Sequence, residues 1–224
     1  MSKVVPWSYT SLTSFETCPR RFYLTRVTKE VKEPQSQAML HGNEVHKALE
    51  VSLRDGQPLP EKYSQHQPII DRLSSKPGTK LIEHKVALTK GFKETSFFSK
   101  DCWVRGVVDV GIVQGKSAVV LDYKTGKPKS DPSQLKLFAG MTLSSFPKVE
   151  KVTVGFMWLA HNRMNSDDKA IYTRDDLPVI WEEFSSRVSR MESAERENRF
   201  VPKPSGLCRE WCPVGKKLCE FCGK

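Results

Sequence analysis

The sequence predicts a mixed α/β fold, with a central sheet flanked by helices and a cysteine-rich tail at its end. Three observations predict it. Helix-type patterning dominates up to about residue 73. Val- and Ile-rich runs at 80–90, 102–113 and 117–124 then follow closely. Finally, a helical stretch at 131–143 separates the last of these from another apolar run, Lys151 to Leu159. Strands joined by short turns pair antiparallel, and a strand–helix–strand passage returns parallel, so the sheet is expected to be mixed.

Each element has its own signal. Ser8 is placed to cap a helix running to about Arg26, with Leu12, Phe15, Phe22 and Tyr23 as a broken apolar stripe. A second helix is expected from Gln37 to Leu53, beyond Pro34, and a turn at Asp55-Gly56-Gln57-Pro58 ends it. A third covers Tyr63 to Leu73, before Pro77-Gly78. Gln114-Gly115-Lys116 reads as a hairpin turn between the second and third strands. Asp131-Pro132 opens the crossover helix, and Asp175 or Asp176 starts a last helix reaching about Glu195. The chain is expected to be a single domain, with a helical part at 1–78, an α/β core at 79–200 and the tail at 201–224.

The chain has 224 residues, of which 38% are hydrophobic, enough for a sizeable core. Its 36 Lys and Arg outnumber 26 Asp and Glu, giving a formal charge of +10. That excess points to a polyanionic partner, nucleic acid before an anionic membrane, with plain solubility as the bland alternative. No stretch approaches the roughly 20 apolar residues of a membrane span, and Met1 to Trp7 lacks a secretory pattern. A reducing, cytoplasmic setting is the expectation, and there the six cysteines read better as metal ligands than as disulfides.

The most informative residues are Gly106-x-x-Asp109 and, beyond the hairpin turn, Asp122-Tyr123-Lys124. Alternation along a strand puts Asp122 and Lys124 on one face. A hairpin would bring Asp109 beside Asp122. Two close carboxylates repel unless a cation lies between them, and hard oxygen ligands suit Mg²⁺ or Mn²⁺. A neighbouring lysine could orient water or stabilise charge developing on a phosphate. The plainer reading is charged residues at strand ends.

These residues resemble the core signature of RecB-type nucleases of the PD-(D/E)XK superfamily, whose fold is restriction-endonuclease-like. Gly42-x-x-x-His46 lies upstream and Gln134-x-x-x-Phe138 downstream, in the order that family implies. Cys18-Pro19-Arg20-Arg21 and the terminal cysteines resemble the metal-cluster branch, which includes AddB-like recombination nucleases and CRISPR-adaptation nucleases. The resemblance implies that His46, Asp109, Asp122 and the carbonyl of Tyr123 bind the metal, that Lys124 is catalytic, and that Gln134 orients phosphate or the lysine. Gln134 also has the spacing of a capping residue for its helix, and His46 could be a surface histidine. Phe138 stands where that family commonly has tyrosine. Glu83, on the first strand, could approach the site, but as no motif fixes its position it reads as structural.

Cys208, Cys212, Cys219 and Cys222 lie within fifteen residues. Thiolates so spaced suit zinc or an iron–sulfur cluster. The resemblance implies a [4Fe–4S] cluster held by Cys18 with three of these four; Zn²⁺ on the four tail cysteines is the alternative. Cys102 reads as a buried thiol. The expected function is therefore metal-dependent hydrolysis of DNA, as an exonuclease in recombination, repair or replication, in a stand-alone bacterial or phage enzyme. Arg20, Arg21, Arg105, Lys127 and Lys129 are candidates to line the DNA path. A silent DNA-binding module and an RNA-processing nuclease are the rival readings.

Overall fold

The computed structural model describes residues 6–126, 131–161 and 169–223. The chain divides into two compact units, Ser36–Trp181 and Met1–Gln35 with Glu182–Lys224. In chain order the helices are α1 (Tyr9–Thr17), α2 (Pro19–Phe22), α3 (Gln37–Asp55), α4 (Gln67–Ser75), α5 (Pro132–Ser145), α6 (Leu177–Arg196) and α7 (Leu207–Glu210). The strands are β1 (Thr79–Thr89), β2 (Cys102–Gln114), β3 (Ser117–Lys124), β4 (Lys151–Trp158) and β5 (Lys169–Thr173).

In the unit Ser36–Trp181 the five strands form one sheet in the order β1-β2-β3-β4-β5. The β1–β2, β2–β3 and β4–β5 pairs are antiparallel, and β3–β4 is the expected parallel pair. One face carries α3 and α4, whose Val45, Leu49, Ile69, Ile70 and Leu73 enclose a core with Val110, Ile112, Leu121 and Tyr123. The other face carries the crossover helix α5, with Leu135, Leu137, Ala139, Met141 and Leu143 all buried. A helix apolar on most of its surface must be covered on several sides. Gly140 permits one of these contacts, since a Cβ there would come within 2.8 Å of Ile180 Cγ2.

The hairpin of β1 and β2 changes sides along its length. Ile82 packs into the core beneath α3 and α4, whereas His84, of the same parity, meets Phe146 at the end of α5. Likewise Val110 belongs to the α3 side, while a Cβ on Gly106 would touch Phe138 and Met141 of α5. Between Ile82 and His84 stands Glu83, with φ +45°. This left-handed conformation turns the strand over, at a cost of order 1–3 kcal/mol for a residue with a side chain.

In the other unit, Ser8 caps α1 as expected, in a reciprocal box with Ser11. The helix stops at Thr17 instead of running to Arg26. Cys18 is extended (φ −161°, ψ 109°), and Pro19 starts α2. A residue before proline is driven out of the helical region, and proline fits a first turn. Glu16 on α1 accepts a two-pronged hydrogen bond from Arg187 of α6, at 2.9 and 2.7 Å. Trp7 stacks on Phe184, with centroids 5.8 Å apart.

Three other boundaries differ from expectation. The third helix begins as a tighter turn over Glu61–His66. The last α-helix begins at Leu177, after a tight turn over Arg174–Asp176 that is boxed by Thr173 and Asp176. Strand β5 was not anticipated; at five residues, with a half-exposed edge, it has little apolar signal.

Candidate active site

All of the carboxylate site lies in the unit Ser36–Trp181. Strands β2 and β3 pair from Gln114↔Ser117 up to Val110↔Leu121 and go no further. Asp109 and Asp122 are the next residues on either side of that fork. Asp109 Oδ2 accepts a hydrogen bond from the Tyr123 amide at 2.7 Å, so the main chain of β3 holds it in place. The register from Ile82↔Val110 to His84↔Val108 sets Glu83 opposite Asp109. From α3, His46 Nε2 lies 3.1 Å from the Tyr123 carbonyl oxygen, and its Nδ1 is 3.5 Å from Asp109 Oδ1.

His46, Glu83 and Asp109 each offer a ligand atom within 4.8 Å of the other two, so this triad could hold a metal ion. Glu83, which from sequence could approach the site but read as structural, stands in this group. The hairpin register that pairs it with Asp109 depends on the irregular loop 90–101, which no short motif specifies.

The electrostatics suit a cation. Burial, aided by the charge of Asp109, pushes the Asp122 carboxyl up to about 6, against the pull of Lys124. Burial and then Asp109 also raise Glu83. Burial opposes charge on His46, but the hydrogen bond and charge of Asp109 outweigh it and raise the imidazole. Lys124 Nζ reaches Asp122 Oδ2 at 2.6 Å as an ion pair. That buried oxygen nevertheless has no donor aligned on it. Acidic side chains crowded beyond their local cations form a donor set that fits a hard divalent ion.

Gln134 joins this network. Its Nε2 donates to Asp122 Oδ1 at 2.8 Å, and its Oε1 accepts from Lys124 Nζ at 3.1 Å. The α5 cap is provided by Asp131, which accepts from the Ser133 amide at 3.2 Å. The side chain of Gln134 therefore turns to the site instead of back to the cap. Phe138, one turn on, packs against Gly106. A Cβ on Gly42 would meet Thr125 Oγ1 at 3.3 Å, so this glycine lets α3 pass close to the end of β3.

The candidate DNA-path cations divide. Arg21 is bonded to Glu33 and Arg20 to the Leu218 carbonyl. Arg105 lies over the Phe97 ring. Lys127 and Lys129 fall outside the described residues.

The sulfur groups lie in the other unit. Cys18, Cys208, Cys212, Cys219 and Cys222 line one small hollow, with Arg20, Arg21 and Lys203 beside it. Backbone amides point at two sulfurs, from Lys203 to Cys18 Sγ (3.5 Å) and from Ser205 to Cys208 Sγ (3.4 Å). Burial, then contact with Cys212 and Cys219, pushes the Cys222 thiol up to about 12. Five sulfurs thus border one hollow with amide donors and cations beside it, although among the described residues only His46, Glu83 and Asp109 bring three ligand atoms within 4.8 Å of one another. Cys102 is fully buried in β2, as expected.

Comparison with known proteins places this geometry. Among curated proteins none matches the chain in sequence. A structure from Eubacterium rectale, provisionally named an exonuclease, is 12% identical, with a TM-score of 0.55 over 92% of this chain and 86% of that one. At that identity it shows a shared fold. The structure named SSO0001 is 14% identical, with a TM-score of 0.45 over 94% of this chain and 85% of that one. The model of the PD-(D/E)XK nuclease superfamily matches residues 6–220, nearly the whole length. With that match joined to a forked mixed sheet and its acidic cluster, the chain belongs to the PD-(D/E)XK nuclease superfamily.

Proposed function

We propose that the protein is a divalent-metal-dependent deoxyribonuclease of the RecB type, acting as an exonuclease on DNA ends or single strands in recombination, repair or replication. The observation that carries this reading is the meeting of the His46–Glu83–Asp109 triad with the Asp122–Lys124–Gln134 network at one fork of the sheet. His46, Asp109, Asp122 and the Tyr123 carbonyl would hold the ion, with Glu83 as an added carboxylate. Mg²⁺ or Mn²⁺ would supply positive charge against the phosphate and make water a better nucleophile at neutral pH.

The protein's own groups do the rest. Lys124, tied to Asp122 and Gln134, offers a positioned ammonium to a non-bridging phosphate oxygen as charge builds there. Gln134 fixes the lysine rotamer through one end of its amide and Asp122 through the other. Asp109, fixed by the Tyr123 amide, keeps its second oxygen free for the ion or for His46. For the sulfur group we favour a [4Fe–4S] cluster on Cys18 and three tail cysteines, acting as a structural staple; Zn²⁺ is the alternative.

The test is cleavage of end-labelled single- and double-stranded DNA, with RNA in parallel, in Mg²⁺ or Mn²⁺ and in chelator. Shortening of DNA from its ends that stops in chelator is expected. Binding without cleavage in either metal would support a silent module, and cleavage confined to RNA would redirect the substrate.

A further inference from the structure

The loop joining β1 to β2 carries two adjacent phenylalanines that the site does not use. Phe98 is 76% exposed, the most exposed large hydrophobic side chain among the described residues. It sits edge-on to Phe97, with centroids 5.1 Å apart. Lys85 Nζ lies 5.6 Å from the Phe97 centroid and 5.5 Å from that of Phe98, and the Arg105 guanidinium lies 5.2 Å from Phe97. The loop is held in shape by the Thr95 amide on the Ala87 carbonyl (3.0 Å) and by Thr95 Oγ1 on Asp101 (2.8 Å). An exposed ring on a fixed loop, with cations beside it, is how proteins present a surface to nucleic-acid bases. The ring offers a stacking face, and the cations meet the phosphates.

Its position relates it to the carboxylates. Beyond Glu83 the hairpin has turned over, and Gly106 faces α5. Lys85 and Arg105, of odd parity, therefore point to the opposite side, the side on which α3 carries His46. Lys85 is two residues from Glu83 and Arg105 four from Asp109. At about 3.3 Å per residue these separations are about 7 and 13 Å. At about 3.4 Å per stacked nucleotide, that places the cations beside the rings roughly two to four nucleotides from the reacting phosphate.

We propose that Phe98, supported by Phe97 and flanked by Lys85 and Arg105, is a base-stacking platform for single-stranded DNA next to the active site. The proposal rests on the deoxyribonuclease reading and adds that the strand in the site is unpaired. Stacking needs a free base face, which a duplex offers only at its end.

The experiment uses the full chain in Ca²⁺, to suppress cleavage, and a single-stranded oligodeoxynucleotide with 2-aminopurine at the second, third or fourth position from its end. Binding should quench the probe at one of these positions. Phe98→Ala should abolish that quench and weaken affinity about tenfold, within the range of one lost base stack. Phe98→Trp should restore both. The salt dependence of binding should be unchanged in Phe98→Ala and shallower in Lys85→Ala/Arg105→Ala, since only the latter removes phosphate contacts. Wild-type protein that binds the oligonucleotide, with Phe98→Ala equal to it in affinity and quench, overturns the platform alone. Wild-type protein that neither binds nor cleaves DNA overturns the platform together with the nuclease reading.

Discussion

The two donor-rich regions of this protein are assembled in opposite ways. The oxygen and nitrogen donors come from α3, β1, β2 and β3, running from His46 to Tyr123 in the sequence, and the sheet brings them together. Asp109 is fixed by a main-chain amide, Asp122 by Gln134, and His46 by a helix that buries Val45 and Leu49 in the core. The sulfur donors come from the Cys18 break and a short tail whose apolar support is Leu24, Val214 and Cys222, with a few partly buried neighbours. In the first region the fold makes the site. In the second, so small a cluster offers little burial to offset chain entropy, so the proposed metal group would be part of what makes the fold. The carboxylate region should therefore lose function before structure, and the cysteine region should lose structure first.

The largest effect tests the first half of that contrast. Asp122→Ala removes a carboxylate that the fold does not need, so cleavage should fall by at least about a hundredfold, with circular dichroism unchanged. Near wild-type cleavage would dismantle the assignment. Lys124→Ala should lower turnover by roughly ten- to a hundredfold while Mn²⁺ binding, followed calorimetrically, stays within about twofold of wild type, because an ammonium is a point charge and not a ligand. A loss of metal affinity as large as that of Asp122→Ala would assign it the wrong role.

The cysteine region should answer differently. Cys212 touches Cys222, lies in the tail's apolar cluster and lines the same hollow as Cys18. Cys212→Ser should raise the rate of proteolysis beyond residue 200 by roughly tenfold, as expected where metal binding supplies folding energy. Cleavage per folded molecule should change far less than in Asp122→Ala. Protein purified without oxygen should be brown if the group is a cluster, and Cys18→Ser should bleach it. Colourless protein with one zinc and a silent Cys18→Ser would assign the ion to the tail cysteines alone. A tail that stays protease-resistant in Cys212→Ser would remove the contrast itself.

Much of this was legible from residues because the signals were local. Val- and Ile-rich runs gave four of the five strands, and the Asp122-Tyr123-Lys124 tripeptide gave its own face by alternation. Cys18-Pro19 contained the break in the first helix, though the apolar stripe across it suggested continuity. Glu83 was legible only as a residue whose strand could approach the site, because its partner is chosen by a hairpin register set through an irregular loop, and because its left-handed φ breaks the alternation on which face assignments depend. Strand β5 was missed for a related reason. An edge strand is half-solvated, and Lys169, Ala170, Ile171 and Tyr172 derive their strand character from pairing with β4.

The finest test of the contrast is how the metal-free site responds to pH. In the folded protein, burial and the charge of Asp109 hold the Asp122 carboxyl at about 6, above the roughly 3.9 of an unfolded chain. Between those values the folded state binds more protons than the unfolded one, so stability falls as pH rises through about 4 to 6. Above that window the cost is fully present, on the order of 1–3 kcal/mol. Asparagine at 122 has no proton to lose and keeps an amide for Gln134. In chelator, Asp122→Asn should melt within about 1 °C of wild type near pH 4, and roughly 3–8 °C higher at pH 7 to 8. Saturating Mn²⁺ should narrow the gap, because the ion stabilises the wild-type carboxylate that the variant lacks. A variant less stable than wild type at pH 7 in chelator would mean that Lys124 already satisfies Asp122, leaving no unmet negative charge at the fork for a metal to answer.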